Sequence, residues 1–219
     1  MEKKIEDIDL CRKCGGKCCV KCGCDYSVDD FSEHTYKAFL EEISKGDKSI
    51  VAMLKFSTLP NGKFVAEPFL YLRARNVNRE VIDLVSMKTR CSMLTDNGCS
   101  YDYSNRPFGG RNLIPSSKGV HYCKREVAQM DVMKKWEPYQ KVLGKIVKRY
   151  TGMSVKEKIS DDVESLFCDV LRGNFQDVSV LEIQELEGFL PLLKRAFPDE
   201  IYRANVSCRG TGLKVFSKK

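Results

Sequence analysis

The chain has 219 residues, 42% of them hydrophobic and 31% charged, with a formal net charge of +7. That length buries a sizeable core as one large domain or two small ones, and the composition excludes a disordered or fibrous chain. No run approaches the ~20 apolar residues of a membrane helix, and the opening residues lack the apolar segment of a secretory leader, so a cytoplasmic location is expected.

Eleven cysteines in a reducing compartment point to metal or redox chemistry rather than to a disulfide framework. An odd count also argues against complete pairing. The mild positive excess is in keeping with thiolate-rich metal binding, since bound thiolates carry negative charge.

In chain order, a short polar lead-in precedes Cys11–Cys24. This segment holds six cysteines with Gly15, Gly16 and Gly23 among them. It has neither a strand nor a helix period and reads as irregular loop. Ser27, with Asp30 three residues on, signals a helix start. Phe31, Phe39, Leu40 and Ile43 supply its apolar side, and Gly46 stops it. Asn61-Gly62 between apolar runs predicts a β-hairpin, with Phe69–Arg75 as a further strand. A short helix is expected from Asn78 to about Met87. Residues 90–123 form a long loop with cysteines, and loops of that length within a compact domain are usually functional.

From Val120 the pattern turns helical. Val127, Met130, Met133 and Trp136 are placed on one face. Pro138 opens a new helix that carries Tyr139, Val142, Leu143, Ile146 and Tyr150 and ends at Gly152. Ser154 and Glu157 form a capping box for a helix that bears Val155, Ile159, Val163, Phe167 and Val170, with Gly173 as its C-cap. Ser179 and Glu182 repeat the device before Leu186, Phe189, Leu190 and Leu193. The tail after Ala204 is basic and weakly patterned. The expected fold class is α+β and helix-dominated, with a cysteine-rich irregular metal-binding centre, a small β-hairpin and a helical C-terminal part. Residues 1–125 form the cysteine-bearing region and 126–219 the helical region, joined at a soft boundary that allows a shared core.

The first cysteine group reads Cys11-x2-Cys14-x3-Cys18-Cys19-x2-Cys22-x-Cys24. Two thiolates at such spacing converge on one metal, and glycine turns let backbone amides reach the sulfurs. Arg12, Lys13, Lys17 and Lys21 stand among them, and cations favour the thiolate form. The second group is Cys91, Cys99 and Cys123, with Asn97-Gly98 as a tight turn that presents Cys99. A site needs about four ligands, so these nine cysteines make two sites or leave some unused. Iron–sulfur and structural zinc both suit such a donor set.

These residues resemble the YkgJ-type cysteine-cluster family, a zinc- or iron-chelating domain. The matching positions are Cys11, Cys14, Cys18 and Cys19, then Cys91, Leu94, Gly98, Cys99, Arg106, Pro107 and Arg111. Flagellin lysine methylases carry a similar cluster, and the resemblance to them implies iron–sulfur, of the 4Fe–4S type. The match covers roughly residues 11–24 and 91–111. It departs at Gly110, where the family has a cysteine; Cys123, Cys22 or Cys24 is then the replacement. Preferred ligands are Cys14, Cys18, Cys19, Cys91 and Cys99, with Cys11 and Cys123 next.

Other features have plainer readings. Arg106 and Arg111 serve cluster sulfurs or an anion, or else fix a turn and pair with an acid. His34 is placed on a helix surface, and His121 is a weak ligand candidate beside so many thiols. Cys168 reads as a small buried hydrophobe, and Cys208 is unassigned. Tyr71, Arg73 and Arg75 read as an alternating solvent face rather than a nucleic-acid surface. No zinc-finger, phosphate-loop, dinucleotide or Ser-His-Asp signature occurs. The expected function is an iron–sulfur protein in electron transfer or a modification system, with a protein partner left open. The alternatives are a structural zinc module that docks on a macromolecule and a lysine-methylase-like enzyme. No catalytic residue or small-molecule substrate is identifiable from the motifs.

Overall fold

A computed structural model describes residues 9, 13–16, 19–20, 23–85, 89–114, 123–125, 127–173 and 180–208, the side chains of 124 and 180–186 excepted. Helix α1 spans Tyr36–Ser44. The long strands β1 (Lys48–Thr58) and β2 (Phe64–Ala74) follow, then the two-residue strands β3 (Leu94–Thr95) and β4 (Gly98–Cys99). Next come the short helix α2 (Phe108–Arg111) and strands β5 (Leu113–Ile114) and β6 (Lys124–Arg125). Helices α3 (Gln129–Lys134), α4 (Gln140–Thr151), α5 (Val155–Arg172), α6 (Val180–Ala196) and α7 (Pro198–Cys208) complete the chain. The α+β class is as expected.

The hairpin forms where Asn61-Gly62 predicts it, but β2 is one strand of 11 residues and does not break at Pro68. The reason lies in strand parity. Leu72 accepts from the Tyr26 N–H and the Ala74 N–H donates to the Cys24 carbonyl, so both turn away from β1. Pro68 shares that parity, and its missing N–H costs no hairpin bond. The Gln140 side chain meets Leu70 on the same edge, accepting from its N–H and donating to its carbonyl, both at 2.8 Å.

The opposite edge is covered by residues 81–84. Ile50 donates to the Val81 carbonyl and accepts from the Asp83 N–H. The helix expected over 78–87 is therefore absent from its described part. Asn78 has φ of 58°, a left-handed conformation that a helix interior does not admit. Ile82, Leu84 and Val85 are buried beside β1 instead. The Ser27–Asp30 capping box exists, but it closes a single 3-10 turn, Val28–Asp30. The α-helix starts later, at Thr35, whose hydroxyl accepts from the Ala38 N–H. His34 precedes that helix and sits against Phe39 and Tyr139, rather than on a helix surface.

One buried cluster joins both parts of the chain, from Tyr26 and the hairpin through Trp136 and Val163 to Ala204. Trp136 is fully buried. It packs on Phe31 and Phe39 at ring distances of 5.9 and 5.6 Å and donates its indole N–H to the Tyr26 carbonyl. The face proposed for α3 is corrected: Met133 is buried, but Val127 and Met130 are exposed and Val132 turns inward. Pro138 lies in a 3-10 turn that leads into α4. Gly152 and Gly173 end α4 and α5 in left-handed conformations, and the Ser154–Glu157 box opens α5, as read. Ser179 lies outside the described residues, as do the side chains of Glu182 and Leu186.

Two further expectations fail. The chain from Ala204 to Cys208 is the end of helix α7 rather than an unpatterned tail. Cys168 is no isolated hydrophobe: it forms a disulfide with Cys208 that joins α5 to α7. No helix among the described residues is long and apolar enough to cross a membrane.

Candidate functional site

The inner end of β2 holds the cysteine-bearing segments together. Residues 24–26 run beside 72–74 as a short third strand, with Asp25 opposite Arg73. Gly23 donates its N–H to Asn76 Oδ1 at 2.7 Å, and Asn76 bridges to Cys91 through its main chain. A methyl group at Gly23 would run into the Ala74 carbonyl, so this close passage requires glycine. Arg73 is buried, against the solvent-facing reading. Its Nε donates to Asp25 at 2.8 Å and its Nη2 to the Tyr71 hydroxyl at 2.7 Å. Asp25 also accepts from Gln129. Arg75 donates to the Lys48 carbonyl.

The two cysteine groups meet through the main chain. The Cys91 N–H donates to the Cys19 carbonyl at 2.7 Å. Gly16 passes so close to Leu94 that an added methyl would stand 2.6 Å from Cδ1 of that leucine. Leu94 pairs with Cys99 across β3 and β4. The turn that presents Cys99 has Asp96-Asn97 at its centre, and Gly98 begins β4 with φ of 99°. That is one residue earlier than the Asn97-Gly98 reading.

A third segment, 106–111, closes on the first. Gly109 donates its N–H to the Asp25 carbonyl at 2.9 Å. The Cys24 sulfur lies 3.4 Å from the point where a side chain on Gly110 would start. Thus Cys24 stands at the departure from the family pattern. Cys123 is exposed, just before β6. Cys14, Cys19, Cys24 and Cys99 are half-buried and Cys91 is buried. Cys11, Cys18, Cys22 and His121 lie outside the described residues. Among the described residues, no three His, Cys, Asp or Glu side chains are grouped closely enough to hold an ion.

Of the two arginines in the second group, Arg111 pairs with Asp30. The Nε of Arg106 donates to the Tyr101 carbonyl at 3.3 Å. Both match the turn-fixing reading. Burial lifts the Asp30 carboxyl above its usual range, although Phe108 and Ser27 donate their N–H groups to it and Arg111 lies alongside.

Beside the cysteines lies a cleft of about 640 Å³ that motif reading missed. Its floor is a polar chain. Tyr26 donates to Tyr101, and Tyr101 donates to Asp47. Lys48 lies over the Tyr26 ring at 5.3 Å, 2.9 Å from Asp47 and 3.2 Å from Glu42. Burial pushes the Asp47 carboxyl up, but the bonds from Tyr101 and Lys48 outweigh it and hold the group below its usual range. Burial raises the phenol of Tyr26 far above its usual value. Tyr101 is raised by burial, then by its bond to Asp47, with Cys91 a lesser electrostatic influence. No spacing rule marks these residues, because they come from four separate segments.

Comparison with family models, characterised proteins and solved structures finds no match to the chain.

Proposed function

We propose that the thiolates of residues 11–24 and 91–99 hold an iron–sulfur cluster, and that the protein works in the cytoplasm in electron transfer or a modification system. The supporting observation is the hydrogen bond between Cys91 and Cys19, which joins two cysteine groups about 70 residues apart. The donor set is thiol-rich, which suits the group; the side chains of its described members do not converge by themselves, so binding would have to draw them together. Cys14, Cys19, Cys91 and Cys99 are the proposed ligands among the described residues, with Cys18 and Cys11 from outside them. Cys24 is the proposed substitute at the Gly110 position, ahead of the exposed Cys123. Bound there, the cluster would supply one-electron transfer. The protein's own contribution is to order its loops around Asn76, Arg73 and Gly23.

Metal analysis and an absorption spectrum of protein prepared without oxygen test this reading. Iron with matching sulfide and a brown colour is expected. A colourless protein with stoichiometric zinc overturns it in favour of a structural knot that unfolds on chelation.

A further inference from the structure

We infer that the solvent face of helix α4 docks an acidic segment of a partner protein. From Pro138 to Lys156 the chain carries Lys141, Lys145, Lys148, Arg149 and Lys156 and no carboxylate. The first four lie on α4 and are exposed. At about 3.6 residues per turn they share one side of the helix, within an arc of about 100°. Leu143, Ile146 and Val147, on the opposite side, are fully buried. Helix α4 is thus anchored along its apolar side and turns an unbroken cationic stripe to solvent.

The fold does not account for this stripe. Exposed lysines elsewhere have acidic partners: Lys37 lies beside Glu41, Lys134 beside Asp131 and Lys135 beside Asp29. Among the described residues, no ion pair joins any of the four on α4. Lys148 acts only at a distance on Glu157, whose carboxyl is taken up by the Ser154 N–H. Lys148 and Arg149, in the last turn, suit the helix dipole, but Lys141 stands in the first turn, where a cation is disfavoured. Lys145 is four residues from both Lys141 and Arg149, and like charges at that spacing destabilise a helix. An anion laid along the stripe relieves that repulsion.

The form of the stripe selects the class of partner. The helix rises about 6 Å from Lys141 to Lys145, and alternate side chains of an extended peptide repeat every ~6.6 Å. An extended segment with acids at alternate positions therefore meets the lysines in step. Single-stranded nucleic acid is held by aromatic rings on which its bases stack, and the stripe has none. Tyr150 is 40% exposed but belongs to the other side of the helix, its hydroxyl 3.1 Å from that of Ser44. A helix that lies on a membrane sinks apolar side chains into it, and those of α4 face the core. Carboxylates on a protein remain as the matching anion, and charge of this kind steers association and sets specificity more than it tightens binding. None of the four side chains belongs to the cysteine centre, so the contact does not depend on what the thiols hold.

Fluorescence anisotropy with a labelled peptide of alternating glutamate and serine, on the full chain at low salt, tests the docking face. The comparison probes are the same peptide with glutamine for glutamate, an oligothymidylate of equal charge, and vesicles of phosphatidylserine and phosphatidylcholine. The glutamate peptide should bind about tenfold more tightly than the glutamine peptide or the oligothymidylate, and added salt should weaken it. Lys141→Gln combined with Lys145→Gln should weaken it about tenfold with no loss of thermal stability, since both side chains are exposed. Lys55→Gln combined with Lys63→Gln removes the same charge from exposed positions of the hairpin and should weaken it less than about twofold. Equal losses from the two pairs would overturn the inference, because net charge alone would then explain binding. Tighter binding of the oligothymidylate would overturn it in favour of nucleic acid, and retention on the vesicles without binding of the peptide would do so in favour of a membrane. No anisotropy change with the glutamate peptide at millimolar protein would overturn it outright.

Discussion

The sulfur of Cys24 and the α-carbon of Gly110 are neighbours: a side chain begun at Gly110 would have its Cβ 3.4 Å from that sulfur and 3.8 Å from the Cβ of Cys24. The second distance is within the range of disulfide-bonded pairs. Gly110→Cys should therefore cross-link to Cys24 in aerated buffer, seen as one free thiol fewer than in the parent protein, because the link consumes both the new thiol and that of Cys24. A gain of one titratable thiol would show that the two positions do not meet.

Glycine is replaceable at one of these loops and not at the other. Gly110→Ala should change stability by less than about 1 kcal/mol, since an added methyl meets only ordinary contacts. Gly23→Ala drives a methyl into the Ala74 carbonyl and should cost about 3 kcal/mol or more. Urea midpoints of the two variants give the comparison, and equal midpoints would contradict the tight passage at Gly23.

The pair Arg73 and Asp25 is a second test. Their side chains are only 10% and 12% exposed. Removing one leaves the other charged in a poorly solvated place, at a cost of about 3–5 kcal/mol. Arg73→Met and Asp25→Leu should each destabilise by about that much, and the double variant by less than the sum. Additive losses in a double-mutant cycle would mean that the two side chains do not act together.

The start of α5 predicts a pH effect of known sign. The Ser154 N–H donates to Glu157 and holds its carboxyl below the usual value of 4.5. A carboxyl lowered on folding contributes stability that is fully present above that value. The contribution is lost as pH falls through the lower, folded-state value. Glu157→Gln should flatten this limb in thermal melts taken between neutral and strongly acid pH. Ser154→Ala should cost about 1 kcal/mol at neutral pH, a drop of about 2–4 °C in Tm.

The Cys168–Cys208 disulfide closes a loop of 40 residues. Chain-entropy reasoning assigns about 4 kcal/mol to such a closure. Reduction should lower Tm by several degrees, and Cys208→Ser should remove any further response to reductant. A wild-type melt indifferent to reductant would show that the link does not form in solution.

What was legible in the sequence was local. Asn61-Gly62 marks a turn because few residues take its backbone angles without strain. Ser27 and Ser154 mark caps because their hydroxyls serve N–H groups two or three residues away. The misreadings fall where distant segments decide. Val81, Ile82 and Leu84 have a pattern that fits a helix face, yet β1 offers them an open edge, and Asn78 turns the chain onto it. Arg73 reads as solvent-facing until Asp25, 48 residues earlier, arrives beside it. Of the site, the cysteine groups were visible from spacing, and Cys19 and Cys91 were expected together; the main-chain bond that joins them was not visible, and neither was the cleft, whose walls come from unrelated stretches.

The role of the inner hairpin implies an order of assembly. The hairpin closes around a short turn, a contact with small loop entropy. Gly23 reaches Asn76 across 53 residues, and Cys91 reaches Cys19 across more. Contacts that distant form slowly, and they need a surface already in place to receive them. The newly made chain would thus carry its sulfurs on unanchored loops until β2 is ready. A molecule caught at that stage would have its ribbon finished while the segments of Gly23 and Cys91 still lack their partner Asn76.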